Sequence, residues 1–383
     1  MDVRRKKVLV IAHNCVLASA QERLVELARF KDLDITLLVP PKNLESHGMI
    51  SLEKCSDPDY KIIRGRPLLS MVMRQRYLQF YPFLTLLLMR IKPDIVDLHE
   101  EPWSLVAFHT IFLLRTLGIK ARIIVETEQN IYKDFPPPFS FFERYVLRHA
   151  DAIVARNDEA RDVIRRKGFT GEIVILPNGL DKKVFFRTDE TQMREELGLS
   201  NFTVGYMGRI EKEKGLDDML RAVEACEVPL DILFVGDGAF TGELKSLAKS
   251  LNIKGKVVWH EPVPQAQAAR MMCCMDALAL PSRTTPTWKE QFGRVLTEAM
   301  ACGVPVIGSD SGAIPEVIAG AGIVFTEGDI DAFAKGLMKL ATDDIARRGY
   351  IEKGYSLIDS KYSWQCVAEG LYSLFTEKLP DKS

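Results

Sequence analysis

Residues 281–316 read PSRTTPTWKEQFGRVLTEAMACGVPVIGSDSGAIPE, and the order of chemistry along this stretch decides the kind of fold the chain takes. The apolar run just before it, 277–280, reads as a buried parallel strand. A polar loop containing prolines follows, and residues 292–302 take up helical spacing. Gly303 and Pro305 end that helix before a β-branched strand begins. Residues 309–314 then supply a second small-residue turn, and Pro315 and Glu316 open another helix.

Two carboxylates, Glu290 and Glu298, bracket the helix entry. If the whole interval were helical, a rise of ~1.5 Å per residue would set them roughly 12 Å apart, about the reach of a diphosphate with a sugar at each end. Between them, the first-turn amides at Gln291, Phe292, Gly293 and Arg294 lack intrahelical acceptors, and Gly293 lets an anion come close. The positive end of the helix dipole favours phosphate there. Glu290 at the mouth suits hexose hydroxyls, and Glu298 further in suits the paired hydroxyls of a ribose. Two glutamates at this spacing occur by chance on many surface helices, so the surrounding segments have to carry the reading.

They do so by resemblance. The block from Glu290-Gln-Phe-Gly to Glu298-Ala-Met-Ala-Cys-Gly-Val-Pro closely resembles the nucleotide-sugar site of retaining glycosyltransferases of family 4. That resemblance implies an α/β chain of the GT-B fold, two Rossmann-like doubly wound domains facing a central cleft. It is specific over residues 177–330 and weaker before them. It implies donor contacts from Phe292, Gly293, Arg294, Val295 and Glu298, with Glu290 catalytic.

Upstream, residues 203–207 read as a strand followed by Gly208-Arg209-Ile-Glu-Lys-Glu-Lys214-Gly215. Glycines on both sides of a βα turn admit a ligand to the backbone, and two cations five residues apart can neutralise a diphosphate. In the family, the positions matching Arg209 and Lys214 steady that leaving group. Gly236 and Gly238 follow the strand 231–235 and Pro262 follows the strand 257–260. The resemblance places these residues near the nucleotide base or phosphate.

The first half opens as βαβ, with strands at 7–12 and 35–39 around a helix at 18–30. A dehydrogenase would carry a Gly-rich turn after Ala12, and none is present. Family 4 members often have glycines here too, so the turn His13-Asn14-Cys15 is a departure, with His13 and Asn14 positioned to line the cleft. Strand 95–98 ends at His99-Glu100-Glu101, and strand 122–125 leads into Glu126-Thr-Glu128. Glu128 stands by register where many relatives have a histidine near the anomeric carbon. A carboxylate there would meet like-charge repulsion from a diphosphate, so Glu128 either carries a proton, holds acceptor hydroxyls, or caps the next element. Glu128 and His99 complete the catalytic candidates.

Pro177-Asn178-Gly179 marks a linker like the family's, so the expected domains are 1–176 on the acceptor side and 177–361 on the donor side. The C-terminal helix, within 362–383, is expected to return to the N-terminal domain. The chain has 51 Lys and Arg against 52 Asp and Glu, a net charge of -1, and neither this balance nor any basic-aromatic stripe suggests a nucleic-acid partner. The charge is uneven, with 27 cations against 22 acids in residues 1–176. This excess, and Arg64, Arg66, Arg74 and Arg76 around Pro67 and Met71–Met73, suit a peripheral membrane contact or an anionic acceptor. Seven cysteines without a Cys-x-x-Cys pair point to a reducing cytoplasm, at the inner face of the membrane if the acceptor is a lipid. The apolar stretch 77–91 is broken by Gln79, Pro82 and Arg90 and does not read as a span.

The expected chemistry is hexosyl transfer with retention from a UDP- or GDP-sugar to a glycan or lipid-linked acceptor. No cofactor and no metal is expected, since Asp57-Pro-Asp59 reads as a loop and Asp329-Ile-Asp331 as a helix cap. A sugar-nucleotide epimerase and a non-catalytic sugar-nucleotide-binding subunit are the rival readings.

Overall fold

The computed structural model describes residues 4–45, 48–53, 55, 58–69 and 76–377, which divide into two compact units. One comprises residues up to Gly179 together with Trp364 onward, and the other spans Leu180–Ser363. Each is built on its own parallel sheet.

In the N-terminal domain seven strands lie in the order Lys61–Arg64, Leu33–Val39, Lys6–Ile11, Ile95–Leu98, Arg122–Thr127, Ala152–Ala155 and Glu172–Ile175. Ala152–Ala155 is wholly apolar, and Lys6–Ile11 and Ile95–Leu98 are apolar apart from Lys6, Lys7 and Asp97, the signature of strands covered on both faces. Leu24 and Leu27 pack on one face, and Leu84, Ile111 and Val146 on the other. The helix Trp364–Thr376 completes the first of these layers. Val367, Leu371 and Phe375 enter the core, Tyr372 stacks on Phe30 with centroids 3.9 Å apart, and its hydroxyl donates to Asp32 at 3.0 Å. Between Val39 and Arg64 lie an antiparallel pair, Lys42–Glu45 with Gly48–Ser51, and the edge strand of the main sheet. Met71–Met73 and Arg74 lie outside the described residues.

The C-terminal domain has six strands in the order Val257–His260, Leu230–Val235, Phe202–Met207, Ala277–Leu280, Val306–Ser309 and Gly322–Phe325. Chain order reverses between Phe202–Met207 and Ala277–Leu280, and ligands of such sheets collect outside the carboxyl ends of the strands at that point. Both 281–293 and 208–215 leave the sheet there. Helices Ile330–Thr342 and Asp344–Leu357 cover the domain, and the second of them carried no legible apolar stripe. Among the described residues no helix is long and apolar enough to cross a membrane.

Candidate donor site in the C-terminal domain

The βα turns that follow the neighbouring strands Phe202–Met207 and Leu230–Val235 are stitched together beside the switch point. Gly208 N donates to Val235 O at 3.0 Å, Ile210 N to Asp237 O at 3.0 Å, and Tyr206 Oη to Arg209 O at 2.6 Å. Gly236 adopts φ +141°, and a Cβ there would stand 1.9 Å from Gly208 O, so only glycine allows the two turns to touch. Arg209 emerges from this surface exposed and forms no ion pair among the described residues.

Lys214 ends a short 3₁₀ turn, Lys212–Lys214, and Gly215 at φ +64° starts the helix Leu216–Glu224. The Lys214 ammonium lies 2.7 Å from Glu290 Oε2 and 4.4 Å from the centre of the Trp288 ring. Ser282 Oγ donates to the same carboxylate oxygen at 3.2 Å. The loop carrying Glu290 is pinned from beneath: Ala313 N donates to Glu290 O at 3.0 Å, and Arg283 N to Glu213 O at 2.7 Å.

The helix of the quoted stretch begins at Arg294, later than its spacing suggested, with Gly293 at φ +79° as its N-cap. Glu290 lies in the loop just before the helix, so no continuous helical rise joins it to Glu298. The unpaired amides are those of Gly293, Arg294 and Val295, which have no protein acceptor among the described residues. No acid stands in this first turn, whereas Leu216–Glu224 has Asp217 and Asp218 in its own, so the dipole at Arg294 is the one open to an anion. Phe292 is buried and its ring packs against Tyr362, with centroids 5.9 Å apart, so its side chain serves the core. Glu298 is 16% exposed, and burial raises its carboxyl above the ordinary range, with Arg294 at 3.8 Å offsetting this only in part. Such a carboxylate gains from donors that replace lost water. Gly238 touches the first turn, where a Cβ would meet Ile210 O at 2.3 Å. Pro262 is exposed and follows the edge strand, whose His260 O accepts from Gly236 N at 2.9 Å.

The N-terminal domain holds the other candidates. His99 is buried, 2.8 Å from Asp97 Oδ2 and against Arg23. Arg23 Nη1 donates to Glu126 Oε1 at 2.7 Å, and Arg156 binds the other Glu126 oxygen. Asp97, His99 and Glu126 converge as metal ligands can, with candidate atoms within 4.8 Å, but two guanidinium groups already occupy the Glu126 carboxylate. Glu128 is 45% exposed and accepts from Arg156 Nε at 3.1 Å. At this domain's own switch point Glu100 accepts from both His13 N and His13 Nδ1, at 3.1 and 2.8 Å. Burial pushes Glu101 up to about 7, against bonds from Glu128 N and Thr127 Oγ1. Glu100, Glu101, Arg156, Ser282 and Trp288 escaped the sequence reading, since their roles come from partners distant in the chain.

The sequence profile described as "Glycosyltransferase Family 4" matches residues 22–184, and that of "Glycosyl transferases group 1" matches 189–357. A D-inositol 3-phosphate glycosyltransferase of Corynebacterium jeikeium is 30% identical over 305 residues, 74% of this chain and 68% of the relative. This chain belongs to the family 4 glycosyltransferases. Other relatives of this family include an N-acetyl-alpha-D-glucosaminyl L-malate synthase of Bacillus anthracis, 27% identical over 64% of each chain. The fold is GT-B. Anabaena Alr3699/HepE, solved in complex with UDP, aligns with a TM-score of 0.73 at 16% identity over 97% of this chain and 99% of its own. WaaG, a glycosyltransferase involved in lipopolysaccharide biosynthesis, aligns with a TM-score of 0.66 at 16% identity over 97% and 100%.

Proposed function

We propose that this glycosyltransferase moves a hexosyl group from a UDP- or GDP-sugar to a hydroxyl of a glycan or lipid-linked acceptor, with retention at the anomeric carbon and no resident metal. The observation that carries the reading is the meeting, at one sheet's switch point, of the Lys214–Glu290 pair, the exposed Arg209 and the acid-free helix start at Gly293. UDP in an Anabaena neighbour and a GDP-mannose-dependent relative from Corynebacterium glutamicum support a nucleoside diphosphate sugar as donor. That relative's phosphatidylinositol monomannoside acceptor supports a glycolipid and, with it, a cytoplasmic site at the inner membrane face.

In the transfer, the bond from the anomeric carbon to the diphosphate oxygen breaks while the acceptor oxygen bonds on the same face, and the departing phosphate takes the acceptor proton. Charge grows on the diphosphate, and fixed donors aimed at it act most strongly in the transition state. Arg209, Lys214 and the amides of Gly293 and Arg294 fill that role, with Gly208, Gly236 and Gly238 giving the backbone access. Glu290, already oriented by Lys214 and Ser282, accepts hexose hydroxyls, and Glu298 accepts those of the ribose. Val295 and Pro262 border the nucleotide. On the acceptor side Glu128 binds hydroxyls, and His99 holds the Glu126–Arg156 pair that positions it.

The test is transfer of label from UDP- and GDP-hexoses into a membrane lipid extract, followed by NMR of the product linkage. Transfer with an axial linkage from an axial donor is expected. Interconversion of the sugar with no acceptor present would make the protein an epimerase, and binding without transfer to any acceptor would make it a binding subunit.

A further inference from the structure

Two of the seven cysteines meet inside the C-terminal domain, on helices that pack against each other, Gln265–Cys273 and Arg294–Ala301. Cys273 is the last residue of the first helix, and Cys302 caps the end of the second. Cys302 Sγ lies 3.9 Å from Ala269 O, one helical turn before Cys273, and its thiol donates to the Cys273 sulfur. Thr188 Oγ1 is buried with no oxygen or nitrogen partner, and the group it faces is that same sulfur. The Thr188 amide donates there too, and Arg187 lies against Gly303, next to Cys302. Donors and a cation gathered around one sulfur favour its thiolate. Burial pushes Cys226 and Cys274 up to about 11, the behaviour of thiols that only pack. Cys273 moves the other way, to about 6, chiefly through the bond from Cys302. Access also separates the pair, since Cys273 is 6% exposed and Cys302 is fully buried.

We propose that Cys273 and Cys302 form a peroxide-sensitive modification site that closes as a reversible disulfide. The Cys273 thiolate attacks one peroxide oxygen, the O–O bond breaks and hydroxide leaves, so Cys273 becomes a sulfenic acid. The Cys302 thiol then attacks that sulfur, the S–O bond breaks, and the oxygen leaves as water with the thiol's proton. Two thiols are oxidised and one peroxide is reduced to water and hydroxide, and a dithiol reductant reverses the bond. Transient disulfides of this kind are the sort a reducing compartment allows. The disulfide sets the sulfurs about 2 Å apart, closer than two thiols in contact, so the end of Arg294–Ala301 has to move towards Gln265–Cys273. Cys302 N donates to Glu298 O at 3.2 Å, which carries the movement to Glu298. The expected effect on nucleotide binding rests on the donor site proposed above, whereas the disulfide itself does not.

The test is treatment of the full chain with hydrogen peroxide, followed by denaturation, alkylation and peptide mapping by mass spectrometry. Free thiols should fall from seven to five, the lost pair being Cys273 and Cys302, and dithiothreitol should restore them. Cys302→Ser should leave Cys273 as a sulfenic acid that dimedone captures, and Cys274→Ser should still form the disulfide. In the oxidised protein, hydrogen exchange over residues 294–301 should change, and UDP or GDP should bind about fivefold or more weakly than to the reduced protein. No disulfide, or one that joins Cys273 to Cys274 or to a second copy, would overturn the proposal. Unchanged exchange over 294–301, or equal nucleotide affinity in both forms, would overturn the coupling to Glu298. If neither form bound a nucleotide while the disulfide and the exchange change appeared, the donor site would fail and the modification site would stand.

Discussion

Lys214 Nζ sits 2.7 Å from Glu290 Oε2, so the cation closing one βα turn is tied to the carboxylate that precedes the next helix.

Lys214→Ala should therefore cost more than one point charge. In its proposed role Lys214 supplies a donor to the diphosphate, and its loss also takes the 2.7 Å bond from the Glu290 carboxylate, to which Ser282 Oγ still donates at 3.2 Å. Turnover is expected to fall by about 10²–10³, the usual loss for one preorganised donor at a developing charge. Single-turnover transfer kinetics check this, and a loss below about twofold would be inconsistent with it.

Gly312→Ala tests the same carboxylate from behind. Gly312 has φ +54°, and a Cβ there would lie 2.1 Å from Glu290 O. The substitution should destabilise the domain by roughly 1–3 kcal/mol and lower turnover as the Glu290 loop shifts. Gly242, with open space around its Cβ position in the helix Thr241–Ser250, is the control: Gly242→Ala should be neutral or stabilising by about 1 kcal/mol. Calorimetric melting of both variants distinguishes the two cases.

Glu298 should make donor binding depend on pH. Its carboxyl is raised by burial, so over the interval between the unfolded value and the raised one the native state holds the proton more tightly. Stability of the unliganded protein from this group is full below the unfolded value and falls as pH rises through the raised one. Accepting two ribose hydroxyls requires the ionised form, so nucleotide affinity should rise with pH over the same interval. Calorimetric titration at several pH values should show this for wild type and a flatter, weaker profile for Glu298→Gln.

In the N-terminal domain two buried carboxylates should act in opposite directions. Glu126 would be raised by burial, but Arg156, Arg23 and His99 outweigh that and lower it. Its contribution is present above the ordinary carboxylate range and lost as pH falls below it. Glu101, raised to about 7 by burial, contributes fully below its unfolded value and loses that contribution as pH rises through about 7. Glu126→Gln should cost about 3–5 kcal/mol at neutral pH by leaving two buried guanidiniums undercompensated. Glu101→Gln should instead flatten the fall in stability towards pH 7. Urea melts across pH measure both.

Both sheets were legible because strands such as 277–280 and 95–98 are short, mostly apolar runs followed by turns, a pattern that survives without tertiary information. The Glu290–Glu298 block and Gly208–Lys214 were legible because local spacing encodes them. Asp344–Leu357 was missed because its interior is mostly polar and its packing alone identifies it. The partners of His99 and Glu128 were missed for another reason. Arg23 and Arg156 reach them across the sheet, from positions 76 and 28 residues away in the chain. Gly293 shows the limit of periodicity: residues 292 and 293 fit the helical pattern, but a left-handed φ at Gly293 sets the true start at Arg294, two residues later.

The central claim is that the C-terminal domain holds a nucleoside diphosphate sugar through Arg209, Lys214 and the helix start at Gly293. Thermal melting of wild type and of the Arg209→Ala, Lys214→Ala double variant with UDP-, GDP- and ADP-sugars tests it most directly, because a ligand that binds only the native state raises the melting temperature. The account predicts a rise with UDP- or GDP-sugars that is largely lost in the double variant. No rise with any donor, or an equal rise in both proteins, would contradict it.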